Sequence, residues 1–230
     1  MTDGENDNGF RLAYVPGVTP AKWAGIWTER KPDVPLTLLQ VPAPEAISLL
    51  RNGTADAAFV RLPVDREALS VIPLYVETTV VVIPKDHAAA AVDELTISDL
   101  SDEELLHPLD DTLTWPVLPG EPAFTRPPTT AEAIELVAAG TGVLVVPQSL
   151  ARLHHRKDLT YRPVQDAPQS QIGLAWLTEA TTDLMDDFIG IVRGRTVNST
   201  RGRTPAPAEK QQRRKPQKPP RTTQKPRRPR

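Results

Sequence analysis

Cysteine is absent from all 230 residues. That excludes a disulfide framework, thiolate metal sites, a thiol nucleophile and a lipidated cysteine anchor. Aromatic residues are scarce, with four Phe, four Trp and three Tyr, so a core must be mostly aliphatic. No apolar run approaches the roughly 20 residues needed to span a bilayer, and Met1 to Gly9 is polar and acidic, without the apolar stretch of a secretion signal. These absences lead us to expect a cytoplasmic protein with no membrane contact.

What is present is a segregation of charge. From Arg193 onward lie 14 of the 27 Lys and Arg but only one of the 29 acids, Glu209, leaving 13 bases against 28 acids in the first 192 residues. The body is therefore near −15 and the tail near +13. Such a division implies two physical tasks in one chain. The body is long enough for one large domain or two small lobes.

Along the body, strand and helix signals alternate. Phe10 to Val15 reads as a strand; Thr19 then Pro20 reads as a helix start, a hydroxyl N-cap followed by proline at the first helical position. Trp23 and Trp27 fall four apart on one face of that helix, which should stop before Pro32. They are expected in the core or on a dimer surface. Pro35 to Val41 is the next strand, Glu45 to Asn52 a helix closed by Gly53, and Asp56 to Val60 a third strand. This β-α-β-α-β order predicts a parallel sheet.

Val71 to Ile83 is almost continuously strand-like. Capping-box spacing occurs at Ser101 and Glu104 and again at Thr129 and Glu132, just before a helix over Ala133 to Ala139 that Gly140 ends. Val143 to Val146 is a buried strand ended by Pro147, Arg152 to Asp158 a polar stretch, Leu159 to Val164 and Ile172 to Leu177 two more strands, and Thr182 to Val192 a last helix. Two αβ lobes, joined by strand crossings near Glu77 and near Tyr161, fit this order.

These residues resemble the effector-binding (substrate-binding) domain of LysR-type transcriptional regulators, from about Phe10 to Arg193. The resemblance is carried by Gly53-Thr-Ala-Asp56-Ala-Ala-Phe-Val-Arg61, by Thr78 to His87, by Ile97-Ser-Asp99-Leu100, and by Glu135-Leu-Val-Ala-Ala-Gly140-Thr-Gly142-Val-Leu-Val-Val-Pro147. It implies a two-lobed α/β fold like that of type 2 periplasmic binding proteins, with lobe I over 10–76 and 165–193 and lobe II over 77–164. It further implies a dimer that senses a small-molecule effector; no cofactor is expected, and the residues themselves point to a small organic acid. The family places a winged helix-turn-helix ahead of this domain, whereas only Met1 to Gly9 precede it here, so that DNA reader is expected to be missing. The stretch from Leu106 to Pro127 is proline-rich and looks shorter than its counterpart in the family.

Helix starts and one cation define the candidate ligand contacts. Thr19, and Thr129 with Thr130, would offer free N–H groups to a carboxylate from two lobes, the helix dipole adding about 0.3 to 1 kcal/mol. Arg61, ending the third strand, would be the fixed cation between them. Ordinary capping by the threonines and an ion pair for Arg61 with a nearby acid are the competing readings. An acid bound there should have millimolar to micromolar affinity, on the order of −4 to −8 kcal/mol.

Signals for catalysis are lacking: there is no G-x-S-x-G, phosphate-binding loop, H-E-x-x-H or G-x-G-x-x-G. The histidines are His87, His107, His154 and His155; the adjacent pair cannot aim at one metal, and no metal site is expected. We therefore expect a binding protein. From Arg201 to Arg230 there is no Phe, Trp, Tyr, Leu, Ile, Val or Met, which predicts a disordered basic, Pro-rich tail over 194–230. Without aromatics it cannot stack on bases, so its bases Arg213, Arg214, Lys215, Lys218, Arg221, Lys225, Arg227, Arg228 and Arg230 are candidates for nonspecific DNA or RNA phosphate contacts. A solubilising role, or attraction to the acidic body, is the alternative for the tail. A small-acid-binding protein with no regulatory output is the alternative for the whole chain, and an enzyme on the same fold a further one.

Overall fold

The computed structural model describes residues 9–195. The polar stub before residue 9 and the nine tail bases from Arg213 to Arg230 lie outside the described residues, as does most of the segment expected to be disordered.

The first lobe is a five-stranded sheet in the order β2-β1-β3-β10-β4. Strand β1 (Phe10–Tyr14) runs parallel to both β2 (Leu36–Gln40) and β3 (Ala57–Leu62), linked through helices α1 (Ala21–Arg30) and α2 (Ala46–Arg51). The expected β-α-β-α-β unit thus forms, and one residue pair pins its register. The Asp56 carboxylate accepts from the Arg11 backbone N–H at 2.7 Å and from the guanidinium Nη2 at 2.8 Å, while the Asp56 N–H donates to the Arg11 carbonyl. The chain returns late to this sheet: β10 (Ser170–Leu177) inserts antiparallel between β3 and β4 (Leu69–Glu77). Its core is an aromatic stack. Phe10 lies 4.9 Å from Trp27 and 5.1 Å from Phe188 between ring centroids, and Trp23 lies 4.6 Å from Phe59. Phe188 comes from the last helix, α5 (Asp183–Val192), capped by Thr182 at its start and closed by a turn at Gly194. Trp27 is fully buried and donates to the Val34 carbonyl at 2.9 Å, so it is a core residue.

The run from Val71 to Ile83 is two strands, not one. Strand β4 ends at Glu77, and after Thr78 the chain enters β5 (Thr79–Pro84), the centre of a second, antiparallel sheet ordered β8-β5-β9. β8 (Leu144–Pro147) and β9 (Leu159–Pro163) flank it. Alternate β5 residues point to opposite faces: Val80 and Val82 join Ile134, Val137 and Leu144, while Val81 and Ile83 join Leu100, Val143 and Val145. Both faces are covered, which is why Thr79–Pro84 reads as a continuous apolar run and not as an alternation.

Helix α3 (Thr130–Ala138) covers one face and stops at Gly140, whose φ of +74° is the left-handed turn expected there. Helix α4 (Gln148–Leu153) follows β8 directly and takes up part of the stretch expected to be a polar loop. Two short parallel strands, β6 (Glu104–Leu105) and β7 (Glu121–Pro122), anchor the proline-rich segment.

Two expectations need correction. The capping box lies at Thr96 and Asp99, on a 3-10 helix over Ile97–Leu100, not at Ser101 and Glu104, because Glu104 is already in β6. The return crossing is not at Tyr161, which pairs with Val82 inside β9. Val164 and Gln165 still bond to Thr79 and Leu95, so the chain leaves the second sheet only beyond them. None of the helices among the described residues is long and apolar enough to cross a membrane.

Candidate functional site

The polar junction between the two sheets is built from five chain segments. The turn after β1 supplies the Pro16 carbonyl and Gly17; β3 supplies Arg61; the end of β4 and the start of β10 supply Glu77 and Ser170; the first turn of α4, in the second lobe, supplies Ser149. The Arg61 side chain is 6 % exposed, and each of its three nitrogens donates one hydrogen bond. It donates from Nη1 to the Pro16 carbonyl at 2.8 Å, from Nε to Glu77 Oε2 at 3.3 Å and from Nη2 to Ser149 Oγ at 3.3 Å. The Ser170 hydroxyl donates to the same Glu77 oxygen at 2.7 Å. Burial disfavours the guanidinium charge and lowers the Arg61 pKa, and the Glu77 carboxylate pulls it back up. Arg61 is therefore an ion-paired cation, the reading that competed with a free one.

Gly17 has a φ of +87°, and a β-carbon there would come within 2.5 Å of Ser149 Oγ and 2.9 Å of Arg61 Nη2. Only glycine permits this approach of turn, strand and helix.

The three threonines separate. Thr19 is exposed and is not a capping side chain: Pro20 stands at the start of α1 in helical geometry, its carbonyl accepts from the Trp23 and Ala24 N–H groups, and no side-chain cap forms. The proline ring already sets that first turn. Thr129 caps α3, accepting from the Glu132 N–H at 3.2 Å. Its partner in the expected box, Glu132, accepts from the Thr129 hydroxyl instead of reaching the backbone. Thr130 is buried, and its hydroxyl donates to Asp110 at 2.8 Å. Thr129 and Thr130 thus open one helix, while Arg61 meets the second lobe through Ser149.

Ser149, Glu77 and Ser170 were not singled out in the sequence. A faint signal existed for Ser149, a hydroxyl two residues after the proline ending a strand; nothing local marked Glu77 or Ser170.

A groove of about 370 Å3 on the second lobe is lined by Thr125, Arg126, Pro127, Pro128, Glu132, Glu135 and Leu136. Its charged groups are already engaged. Arg126 donates to the His107 and Pro108 carbonyls, and Glu135 pairs with Arg156. Nearby, the Asp111 carboxylate is largely buried and takes hydrogen bonds from the Leu113 N–H and Trp115 Nε1, with His107 Nε2 at 3.1 Å. Burial pushes its pKa up.

The sequence model of one family, described as the LysR substrate binding domain, matches residues 11–196. This chain belongs to the LysR substrate-binding-domain family. A protein of Mycobacterium avium called a probable hydrogen peroxide-inducible genes activator is 31% identical over 180 residues, 73% of this chain and 54% of that protein. The transcriptional regulator AlsR of Bacillus subtilis is 28% identical over 181 residues, 72% of this chain and 58% of AlsR. The chain spans about half the length of the curated relatives it matches. Among solved structures, the BenM effector binding domain with its effector benzoate superposes with a TM-score of 0.67 at 20% identity, covering 81% of this chain and 90% of that one. The oxidized form of OxyR gives 0.65 at 21% identity, covering 80% and 92%. At that identity the likeness is one of fold, and it establishes the α/β architecture of LysR effector domains.

Proposed function

We propose that this LysR-family domain binds a small organic acid between its two lobes and that occupancy feeds transcriptional regulation inside the cell, with no catalytic step. The observation that carries this reading is the junction itself: the Arg61 guanidinium from one lobe meets the Ser149 hydroxyl from the other at 3.3 Å, beside the close approach at Gly17, within the region matched by the family. The names of the relatives, regulators throughout, support the output. This sequence has no cysteine, so peroxide has no thiol to oxidise in it, which favours an acid over peroxide as the signal. Thr129 and Thr130 belong to the proposal as contacts from the second lobe, and Thr19 as a surface hydroxyl beside the Pro16–Gly17 turn. A dimer is proposed by analogy with the family.

The test is calorimetry and thermal shift with a panel of aromatic and aliphatic carboxylic acids, benzoate included. Binding at millimolar to micromolar Kd, weakened by Ser149→Ala, is expected; neither heat nor a Tm rise with any acid at ten-millimolar concentration overturns the reading. Stabilisation should grow as RT ln(1 + [L]/Kd).

For the tail we propose nonspecific phosphate contact. Gel shifts of the full chain, and of a variant with Arg213, Arg214, Lys215 and Lys218 changed to Gln, should show affinity falling with salt at a slope of roughly −0.9 per phosphate neutralised. Equal binding by both proteins removes the tail from the proposal.

A further inference from the structure

Each of the three Arg61 bonds reaches a different part of the fold, and only one of them crosses between sheets. Nη1 and Nε stay in the first lobe, on the Pro16 carbonyl and on Glu77. Nη2 reaches Ser149 on α4, which packs on β5 and β8 of the second sheet. Glu77 is the last residue of β4, one position before the chain leaves the first sheet, and Ser170 is the first residue of β10, where it comes back. Their shared oxygen therefore ties both crossings together and fixes Arg61 to them. A guanidinium held at two points has little freedom left, so its third bond specifies where Ser149 must sit.

We infer that Arg61, Glu77, Ser149 and Ser170 form a latch that sets the spacing of the two lobes, with the Arg61 to Ser149 bond as the contact that opens. Gly17 is part of it: a side chain there would stand between Ser149 and Arg61 and hold the lobes apart. The latch acts whether or not a ligand is bound, so its test needs none and can fail independently of the proposed acid binding.

The absence of native cysteine makes the measurement direct. Nitroxides placed on Thr54→Cys in the first lobe and Lys157→Cys in the second, both exposed, report the interlobe distance in the full chain by pulsed electron resonance. Ser149→Ala should add a longer-distance population, with the open-to-closed ratio rising about fivefold, equivalent to ~1 kcal/mol for one hydrogen bond. Arg61→Lys, which keeps the charge and loses the fork, should shift it at least as far. Thr28→Ala, an exposed change on α1 that removes no contact of the latch, should leave it unchanged. Distributions in Ser149→Ala and Arg61→Lys that match the unsubstituted chain, with far-ultraviolet circular dichroism intact, overturn the latch, as does an equal shift from Thr28→Ala.

Discussion

The two lobes solve the same burial problem with different materials. In the first, large rings do the work: Phe10, Trp27, Phe59 and Phe188 converge from two strands and two helices on one side of a five-stranded sheet. In the second, a three-stranded sheet splits a smaller aliphatic core into two layers, one on each face of β5. The second lobe also carries the long proline-rich segment, with Leu109, Val117 and Phe124 left exposed. Charge burial differs in the same direction. The first lobe compensates its buried Arg61 with Glu77, whereas in the second the carboxylate of Asp111 is held by hydrogen bonds and a partly exposed histidine. Aromatic mass concentrates stability at few positions; thin aliphatic layers spread it.

The sharpest way to break this contrast is Phe188→Ala, which removes the ring touching Phe10, Trp27 and Phe59 and should cost about 3–5 kcal/mol in urea unfolding. A loss below that of Ile134→Val in the second lobe, about 1 kcal/mol, would show that stability is not concentrated as described. Next comes Glu77→Gln, which leaves Arg61 buried without its counter-charge and should cost about 3 kcal/mol; a neutral result would mean water reaches the guanidinium. Smaller again is the difference between two threonines. Thr129→Ala deletes a real N-cap and should cost about 1 kcal/mol, while Thr19→Ala should stay within about 0.5 kcal/mol.

The smallest expected effect is one of pH. A carboxyl whose pKa is raised on folding stabilises the fold most below its unfolded value and loses that contribution as pH rises through the raised one. Hydrogen exchange over residues 106–129, corrected for intrinsic rates, should therefore quicken as pH rises from the ordinary carboxylate range through the raised pKa of Asp111. Asp111→Asn should flatten the dependence.

Much of the first lobe was legible because its signals are local. Strand β1, both crossover helices and the parallel pairing follow from alternating periods over Phe10 to Val60. The Gly140 stop and the Thr129 cap were readable for the same reason, each being a rule about neighbours in sequence. The error at Thr19 came from two such rules acting at one helix start, where proline sufficed. The passage between sheets near Glu77 was expected from the long strand-like run; that the run breaks into two strands at Thr78 was not, since apolar residues look alike whether a strand continues or restarts.

The site was less legible than the fold. Arg61 was read from its place at a strand end as a cation between the lobes, with an ion pair as the alternative, but not that Glu77, 16 residues on, would be the acid, nor that Ser149, 88 residues on, would take its third bond.

Spacing and composition sufficed for the α/β order, the stop at Gly140, the aliphatic strands, the absence of thiol chemistry and the division of charge between body and tail. They did not suffice for the insertion of β10 between β3 and β4 or for the meeting of Pro16, Arg61, Glu77, Ser149 and Ser170. A buried charge finds its partners among whatever groups the packed sheets bring within hydrogen-bond reach. That distance is set by topology, not by separation along the chain.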